Sequence, residues 1–236
     1  GMNVVVPTGN FGNLQAAYYA KRMGLPLERI ICASNTNNVL TDFFATGVYQ
    51  SQRAFYQTIS PSMDILVSSN FERFLYEMSG RDAEKICSWY AASNQGTFTV
   101  DAAALKACRD TVYAGWASEE ETLEAIAKSY REYKYVFDPH TAVAMKVYED
   151  YVSATKDQTF TVIASTASPF KFSANVMGGL GQGESCDNEW EALKGLSSLT
   201  GWKIPAGLQG LDKKPEKRVL TAKPEEIPQL VQTMFG

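Results

Sequence analysis

The chain has 236 residues, of which 45% are hydrophobic and 20% are charged, and its formal net charge is −4. This is the composition of a globular protein, and it excludes a collagen, a coiled coil and a disordered chain. Because the net charge is mildly negative, the composition gives no sign of a basic surface that would attract nucleic acid or an anionic membrane. No stretch approaches the roughly 18 to 20 apolar residues of a membrane span.

The N-terminal end of the sequence predicts a βαβ unit. A β-branched run at 3–7 ends in proline and indicates a strand, and a turn with two glycines follows at 8–13. Helix-forming residues at 14–23 stop at Gly24, and residues 29–33 (RIICA) favour a second strand. Because the strands of a βαβ unit are parallel, the fold class we expect is α/β, with an open, mostly parallel sheet flanked by helices.

Further elements follow in chain order. Helical periodicity and capping residues predict helices at 39–45, 70–79, 101–109, 118–133, 138–152, 189–199 and 223–234. Apolar runs predict short strands at 160–164 and 218–221. A glycine-rich segment at 178–183 (GGLGQG) is similar to a dinucleotide-binding fingerprint, but it follows a helix and not a strand, so we interpret it as a helix exit.

The cysteines and the histidine show no pattern of a metal site or a nucleophile. Four cysteines, at 32, 87, 108 and 186, have no CxxC spacing, and His140 is the single histidine. A zinc site needs clustered cysteine and histidine ligands, so no metal is expected. Structural thiols in a reducing cytoplasm are the preferred interpretation, and no GxSxG segment supports a serine nucleophile.

The turn at 8–13 is the strongest local indication of a binding site. Gly9 and Gly12 let backbone N–H groups approach a ligand closely, and the helix that follows offers the positive end of its dipole. This arrangement suits a phosphate group. Since the Gly-x-x-Gly spacing matches neither a Walker loop nor GxGxxG, an ordinary βα turn remains the alternative.

Two further segments combine polar residues with a helix start. Residues 165–172 (STASPFKF) leave a predicted strand at the end where open α/β sheets bind ligands, although the hydroxyls could merely cap the next helix and Lys171 could be a surface lysine. Residues 138–143 (DPHTAV) open a helix with proline in the first turn. His140 in that turn is expected to be structural and not catalytic.

Taken together, five segments resemble the threonine synthase family. They occur in that family's order and span essentially the whole chain: VPTGNFGN at 6–13, KRMGLP at 21–26, SPSMDILVSSNFERFLY at 60–76, DPHTAVA at 138–144 and STASPFKF at 165–172. Each motif alone is weak, but the combination is specific. The resemblance implies a pyridoxal 5′-phosphate (PLP)-dependent lyase of fold type II, similar to tryptophan synthase β. Such an enzyme converts O-phospho-L-homoserine and water to L-threonine and phosphate in threonine biosynthesis.

The resemblance also implies cofactor contacts. The residues that would cradle the PLP phosphate are Gly9, Asn10, Phe11, Gly12 and Asn13. Thr166 matches the family position whose hydroxyl meets the pyridine nitrogen. Ser168 stands where many members have a histidine, which leaves any role of that histidine open here, and Lys171 matches the family without an assigned chemistry.

The larger departure from the family is an absence. The family's Schiff-base lysine lies in an SFKD-type motif well upstream of VPTGNFGN, and an upstream SGDTG segment helps to hold the substrate. This sequence contains neither. The resemblance therefore implies no catalytic residue in this chain, which alone is expected to be inactive. We interpret residues 2–236 as one domain-scale C-terminal half of the enzyme, with Gly1 left by cleavage of a tag, and expect the missing N-terminal half as its partner.

Two other hypotheses stay open. The chain could be a non-catalytic protein that binds phosphate or PLP, or one half of a split enzyme whose lysine lies on a separate chain. In each case we expect a cytoplasmic protein with a small-molecule ligand and with neither nucleic acid nor membrane as a partner.

Overall fold

The structure is a computed structural model that describes residues 1–93, 96–182, 188–215 and 220–235. The strands in these ranges are β1 (Met2–Pro7), β2 (Leu27–Ser34), β3 (Val48–Gln50), β4 (Thr97–Thr99), β5 (Val112–Trp116) and β6 (Thr161–Ile163). The helices are α1 (Gly12–Arg22), α2 (Val39–Thr46), α3 (Phe71–Met78), α4 (Ala83–Ser93), α5 (Ala102–Thr111), α6 (Glu119–Tyr133), α7 (Pro139–Thr155), α8 (Ser173–Gly179), α9 (Glu189–Thr200) and α10 (Ile227–Phe235).

Four of the strands form a parallel sheet in the order β5-β2-β1-β6. β1 therefore lies inside the sheet, with β2 on one side and β6 on the other, while β3 and β4 form a separate antiparallel pair. The predicted α/β class and the predicted βαβ unit over β1, α1 and β2 are confirmed.

Both faces of the parallel sheet are covered. On one face Val6 and Cys32 pack in a core with residues of α1, α2, α3 and α5. On the other face Val5 and Ala33 pack with residues of α7. Since successive strand residues point to opposite faces, a strand covered on both sides favours apolar residues at successive positions, which explains the runs at 4–6 in β1 and 30–33 in β2.

Three helices begin where the sequence places their caps. Asp101 accepts a hydrogen bond from the N–H of Ala104 at the start of α5. Ser118 and Glu121 form a reciprocal capping box at the start of α6. Asp138 caps α7, with Pro139 as its first residue. Each cap satisfies backbone N–H groups that have no partner within the helix.

The contacts divide the chain into two compact units, Gly1–Lys203 and Ile204–Gly236. The first unit contains both sheets and the helices α1 to α9. In the second, the described residues form α10 and two 3₁₀ turns, Leu211–Lys213 and Pro224–Glu226. None of the helices in the described ranges is both long and apolar enough to cross a membrane. The expectation of one domain-scale piece over 2–236 stays a prediction.

Two predicted segments lie partly outside the described residues. The strand predicted at 218–221 begins within 216–219, and the glycine-rich segment ends at residue 183. The described part of the glycine-rich segment is the end of α8, where Gly181 has a φ of 71°, and it agrees with a helix exit.

Candidate functional site

Two loops begin side by side at one edge of the parallel sheet. β1 runs into the loop 8–11 and β6 runs into the loop 164–168. These strands are paired in register, with Val5 opposite Ile163, and the N–H of Ala164 donates to the Val5 carbonyl at 2.9 Å. The carboxyl ends of neighbouring parallel strands are where open α/β sheets bind ligands.

The first loop leads into α1, which begins without a side-chain cap. Phe11 occupies the N-cap position of α1 and makes no side-chain capping bond. The first turn of α1 holds no acidic residue. Its leading N–H groups therefore have no partner within the helix, and they carry the positive end of the helix dipole. This end of α1 favours a negatively charged group.

Phe11 fixes the loop to the core. Its backbone is left-handed, with φ 63° and ψ 7°, a conformation that costs a non-glycine residue about 1 kcal/mol or more. Its side chain is 1% exposed, and its ring lies 5.0 Å from that of Phe71 and 5.1 Å from that of Phe74. The aromatic packing stabilises the strained turn and holds the first amides of α1 in place.

Gly9 allows the loop to lie directly against a second turn. A Cβ atom at Gly9 would sit 2.9 Å from the Cα of Met63 and 3.0 Å from the carbonyl oxygen of Ser62. Backbone atoms cannot move aside as a flexible side chain can, so glycine is required here for space. A Cβ at Gly12 would meet only the side chain of Asn70, at an ordinary 3.5 Å.

Asn10 ties the loop to the start of α3. Its Oδ1 accepts hydrogen bonds from the N–H and the hydroxyl of Ser69, each at 2.7 Å. Its backbone carbonyl accepts from the Asn70 side-chain amide at 2.9 Å. The Asn70 Oδ1 in turn accepts from Arg73 at 2.7 Å. The side chain of Asn10 is thus occupied in holding the loop.

All six residues for which the family resemblance implies contact with the cofactor border one pocket of about 360 Å³. They are Gly9, Asn10, Phe11, Gly12, Asn13 and Thr166. Ser62, Met63, Asn70, His140 and Lys171 also line the pocket. No aspartate or glutamate is among the lining residues in the described part of the chain. The cation of Lys171 lies 5.8 Å from the ring centre of Phe172.

His140 lines the pocket, although it is only 2% exposed. Its Nδ1 is 2.9 Å from Asp138 Oδ1, and its Nε2 accepts a hydrogen bond from the backbone N–H of Ser62 at 3.2 Å. Asp138 also accepts from the backbone N–H groups of His140 and Thr141 and from the Thr141 hydroxyl. The Thr141 hydroxyl is 3.3 Å from Ser165 Oγ, which joins this group to the second loop.

A polar network holds the turn 61–63 from its other side. Asp64 Oδ1 accepts hydrogen bonds from the side-chain amides of Asn35, at 2.8 Å, and Asn37, at 3.0 Å. It also accepts from the Thr58 hydroxyl at 2.8 Å. The loop after β2 therefore anchors the segment that supports Gly9.

The segment 60–70 is the part of the site that pattern reasoning missed. In the sequence, Ser62 and Met63 enter only as part of the family motif at 60–76, yet both line the pocket together with Asn70. The segment has no helical or strand periodicity that would show its contact with the distant turn containing Gly9. The only local signal is its density of Ser, Asn and Asp side chains, which form backbone hydrogen bonds in turns.

The described residues contain no group of three or more His, Cys, Asp and Glu side chains that could hold a metal ion. The pocket therefore presents backbone amides, amide side chains, hydroxyls and one lysine, a set of groups suited to an anionic organic ligand.

A family model and individual relatives agree on the proteins that this chain resembles. Residues 141–231 match the family described as "Threonine synthase, C-terminal". The chain is 45% identical over 179 residues to threonine synthase-like 1 of Homo sapiens, a match covering 75% of this chain and 24% of that protein. It is 37% identical over 214 residues to threonine synthase of Saccharomyces cerevisiae, covering 83% and 42%.

The solved structures agree with these relatives. The PLP-bound threonine synthase from Brucella melitensis matches with a TM-score of 0.82 and 35% identity, over 99% of this chain and 46% of the other. The yeast threonine synthase structure also has a TM-score of 0.82, at 30% identity and over 99% and 47% of the two chains. The chain thus spans less than half the length of these relatives. It matches the C-terminal part of the threonine synthase family over residues 141–231, and it has the PLP fold type II architecture of the threonine synthases it resembles.

Proposed function

We propose that this chain binds the phosphate of PLP in the loop Gly9–Asn13 and meets the pyridine ring of PLP with Thr166. The observation that carries the proposal is that all six residues border one pocket at the uncapped start of α1. A phosphate dianion at that place would accept hydrogen bonds from several backbone N–H groups and face the positive end of a helix of 11 residues.

The composition of the pocket fits this anion. Gly9 brings the loop backbone within contact of the turn below it, and no acidic side chain among the described lining residues would repel a phosphate. Lys171 adds one positive charge to the lining. His140 adds none in the form that its contacts require, because its Nε2 is a hydrogen-bond acceptor.

Thr166 suits the pyridine side of the cofactor for a chemical reason. A neutral hydroxyl can exchange one directed hydrogen bond with the ring nitrogen without adding charge, so it leaves that nitrogen largely unprotonated. When bound, PLP supplies an electron sink for carbanions of the substrate. The chain's own residues hold the phosphate, orient the ring and support the loop.

The reaction we propose for the complete enzyme is the conversion of O-phospho-L-homoserine and water to L-threonine and phosphate, in the cytoplasm. The relatives named threonine synthase support this reaction. The family's Schiff-base lysine motif is absent from the sequence, so we propose that the chain is a C-terminal half that needs an N-terminal half, and is inactive alone.

An assay of phosphate release tests this proposal. The chain alone is expected to release no phosphate from O-phospho-L-homoserine, and addition of the N-terminal half of a family member is expected to restore release together with threonine formation. Turnover by the chain alone would contradict the assignment of the lysine to another segment. Release of phosphate without threonine in the reconstituted enzyme would contradict the proposed reaction.

A second candidate is a protein that binds PLP without catalysis. The observation that favours it is that a complete pocket for the phosphate coexists with the absence of the lysine motif. Binding of PLP by the chain with no turnover in any combination of halves would favour this candidate. A lysine-bearing chain that co-purifies from the native source would instead favour a split enzyme.

A further inference from the structure

His140 connects the capped start of α7 to the turn that supports the phosphate loop. We propose that His140 is a positioning residue. As the neutral tautomer with its hydrogen on Nδ1, it fixes the turn 61–63 against Gly9 and thereby sets the geometry of the phosphate loop. This inference rests on the proposed function, in which that loop binds the PLP phosphate.

The hydrogen-bond partners determine the tautomer. The backbone N–H of Ser62 can only donate, so the Nε2 atom 3.2 Å away has to carry a lone pair and no hydrogen. The ring hydrogen then lies on Nδ1, where it donates to Asp138 Oδ1 at 2.9 Å. Asp138 accepts three further hydrogen bonds, from the N–H of His140, the N–H of Thr141 and the hydroxyl of Thr141. Four donors around one carboxyl group are the environment of an ionised carboxylate.

The ring is also held by packing. His140 is 2% exposed, and the ring of Phe172 lies 4.9 Å from it, tilted by 58°. Asp138 caps α7 and Phe172 follows the loop that contains Thr166, so both sides of the imidazole are fixed by elements of the site. The acceptor at Nε2 is therefore presented to Ser62 in a single orientation.

The effect reaches the phosphate loop through backbone contact. Ser62 and Met63 are the residues that leave no room for a Cβ at Gly9. Asp64 and its amide partners hold the C-terminal end of this turn, whereas the Ser62 N–H is held by His140. Loss of the bond to Ser62 would let this side of the turn shift, and Gly9 with it, while the rest of the network stays in place.

Two substitutions separate the two hydrogen bonds of the ring. In His140→Gln the side-chain oxygen can reach the position of Nε2 and accept from Ser62. In His140→Asn the shorter side chain can donate to Asp138 but offers Ser62 no acceptor. The expected result is an affinity for PLP that falls about fivefold or more in H140N, the effect of about one lost hydrogen bond, and stays within about twofold in H140Q. The affinity for pyridoxal, which lacks the phosphate, is expected to stay the same in both.

Titration calorimetry with PLP and with pyridoxal measures these affinities, after thermal melts show that both variants are folded. Equal losses in H140N and H140Q, an equal loss for pyridoxal, or unchanged PLP affinity in H140N would overturn the proposal. If the unchanged chain binds no PLP, the proposed function fails. The inference is then decided by hydrogen exchange at the Ser62 amide, which should be faster in H140N than in H140Q.

The tautomer itself has a direct spectroscopic test. Because the chain has a single histidine, the imidazole nitrogens of a ¹⁵N-labelled sample belong to one residue. The expected spectrum shows a protonated Nδ1 and a pyridine-like Nε2. A protonated Nε2 at neutral pH would overturn the proposal, whatever the affinity for PLP.

Discussion

At the scale of single residues, glycine is required at different positions for different physical reasons. Gly9 is required for space, since its φ is not in the left-handed region and a Cβ there would meet the backbone of the turn 61–63. Gly47 is required for conformation, because it ends α2 with a φ of 80°. The sequence shows two glycines in the turn 8–13 but does not reveal that only one of them touches another backbone.

The first prediction concerns Gly9→Ala. The added methyl group has to push two backbone segments apart, so we expect a loss of about 1–3 kcal/mol in the free energy of unfolding and about tenfold weaker PLP binding. Urea unfolding and calorimetry measure the two effects. Gly178→Ala is the control, because a Cβ at that helical glycine meets nothing within 4 Å. A G9A variant as stable and as tightly binding as the control would contradict the close-approach argument.

The second prediction concerns the thiols. Burial raises the pKa of Cys32 to about 12, and it raises that of Cys108 to about 12 as well. Because the thiolate is the reactive form, iodoacetamide at pH 8 is expected to modify exposed Cys87 in the folded chain and to reach the two buried thiols only in denaturant. Peptide mass spectrometry follows each site separately. Modification of Cys32 at the rate of Cys87 under native conditions would show that the carboxyl half of β2 opens to solvent.

At the scale of elements, several helix starts follow from local chemistry. The caps at Asp101, Ser118 and Asp138 are visible in the sequence and are present in the structure. α1 differs from them, because its N-cap is a buried phenylalanine without a capping bond. Helices α2, α3 and α8 also begin without a side-chain cap, so the assignment of the phosphate site rests on the position of the α1 start at the pocket, next to Gly9 and Asn10.

The third prediction concerns acid stability at the α6 cap. The pKa of Glu121 is lowered from 4.5, first by the hydrogen bond from the Ser118 N–H and then by Lys146. A lowered pKa in the folded state stabilises the fold above about pH 4.5, and this contribution is lost as the pH falls through the lowered value. Glu121→Gln is therefore expected to reduce the decline of unfolding free energy below about pH 4.5.

Urea unfolding from pH 6 to pH 3 measures this decline. Glu120→Gln removes the same formal charge one residue away and controls for net charge. We expect the curve of E121Q to be flatter than that of E120Q. Equal slopes in the two variants would mean that the capping contact of Glu121 does not contribute to acid sensitivity.

The strands show where sequence reasoning reached its limit at this scale. β1 and β2 each contain a short apolar run, at 4–6 and 30–33, and a clear helix separates them, so their pattern predicts them. β5 contains Gly115 and an exposed Trp116, and it has no alternation that marks a strand. It is a strand because β2 offers it a partner, from Ile30 opposite Val112 onwards. The short pair of β3 and β4 depends on tertiary contact in the same way.

At the scale of the whole molecule, the site is made by topology. The residues predicted to contact the cofactor come from two loops separated by about 150 positions in the sequence, and they meet because β1 and β6 are neighbours in the sheet. The family resemblance predicted both loops. It did not predict that the turn 61–63 supports the first loop, with Ser62 and Met63 in contact with Gly9 and with the hydrogen bonds of Asp64 fixing the turn. These contacts join segments that no local pattern relates.

The measurement that tests the account most directly is calorimetric titration of the chain with PLP, pyridoxal and inorganic phosphate. Several hydrogen bonds to a charged phosphate, each worth about 1.5–3 kcal/mol, should make PLP bind more than tenfold tighter than pyridoxal, and phosphate should compete with PLP. Equal affinities for PLP and pyridoxal, or no binding of PLP, would contradict the assignment of the uncapped start of α1 as the phosphate site.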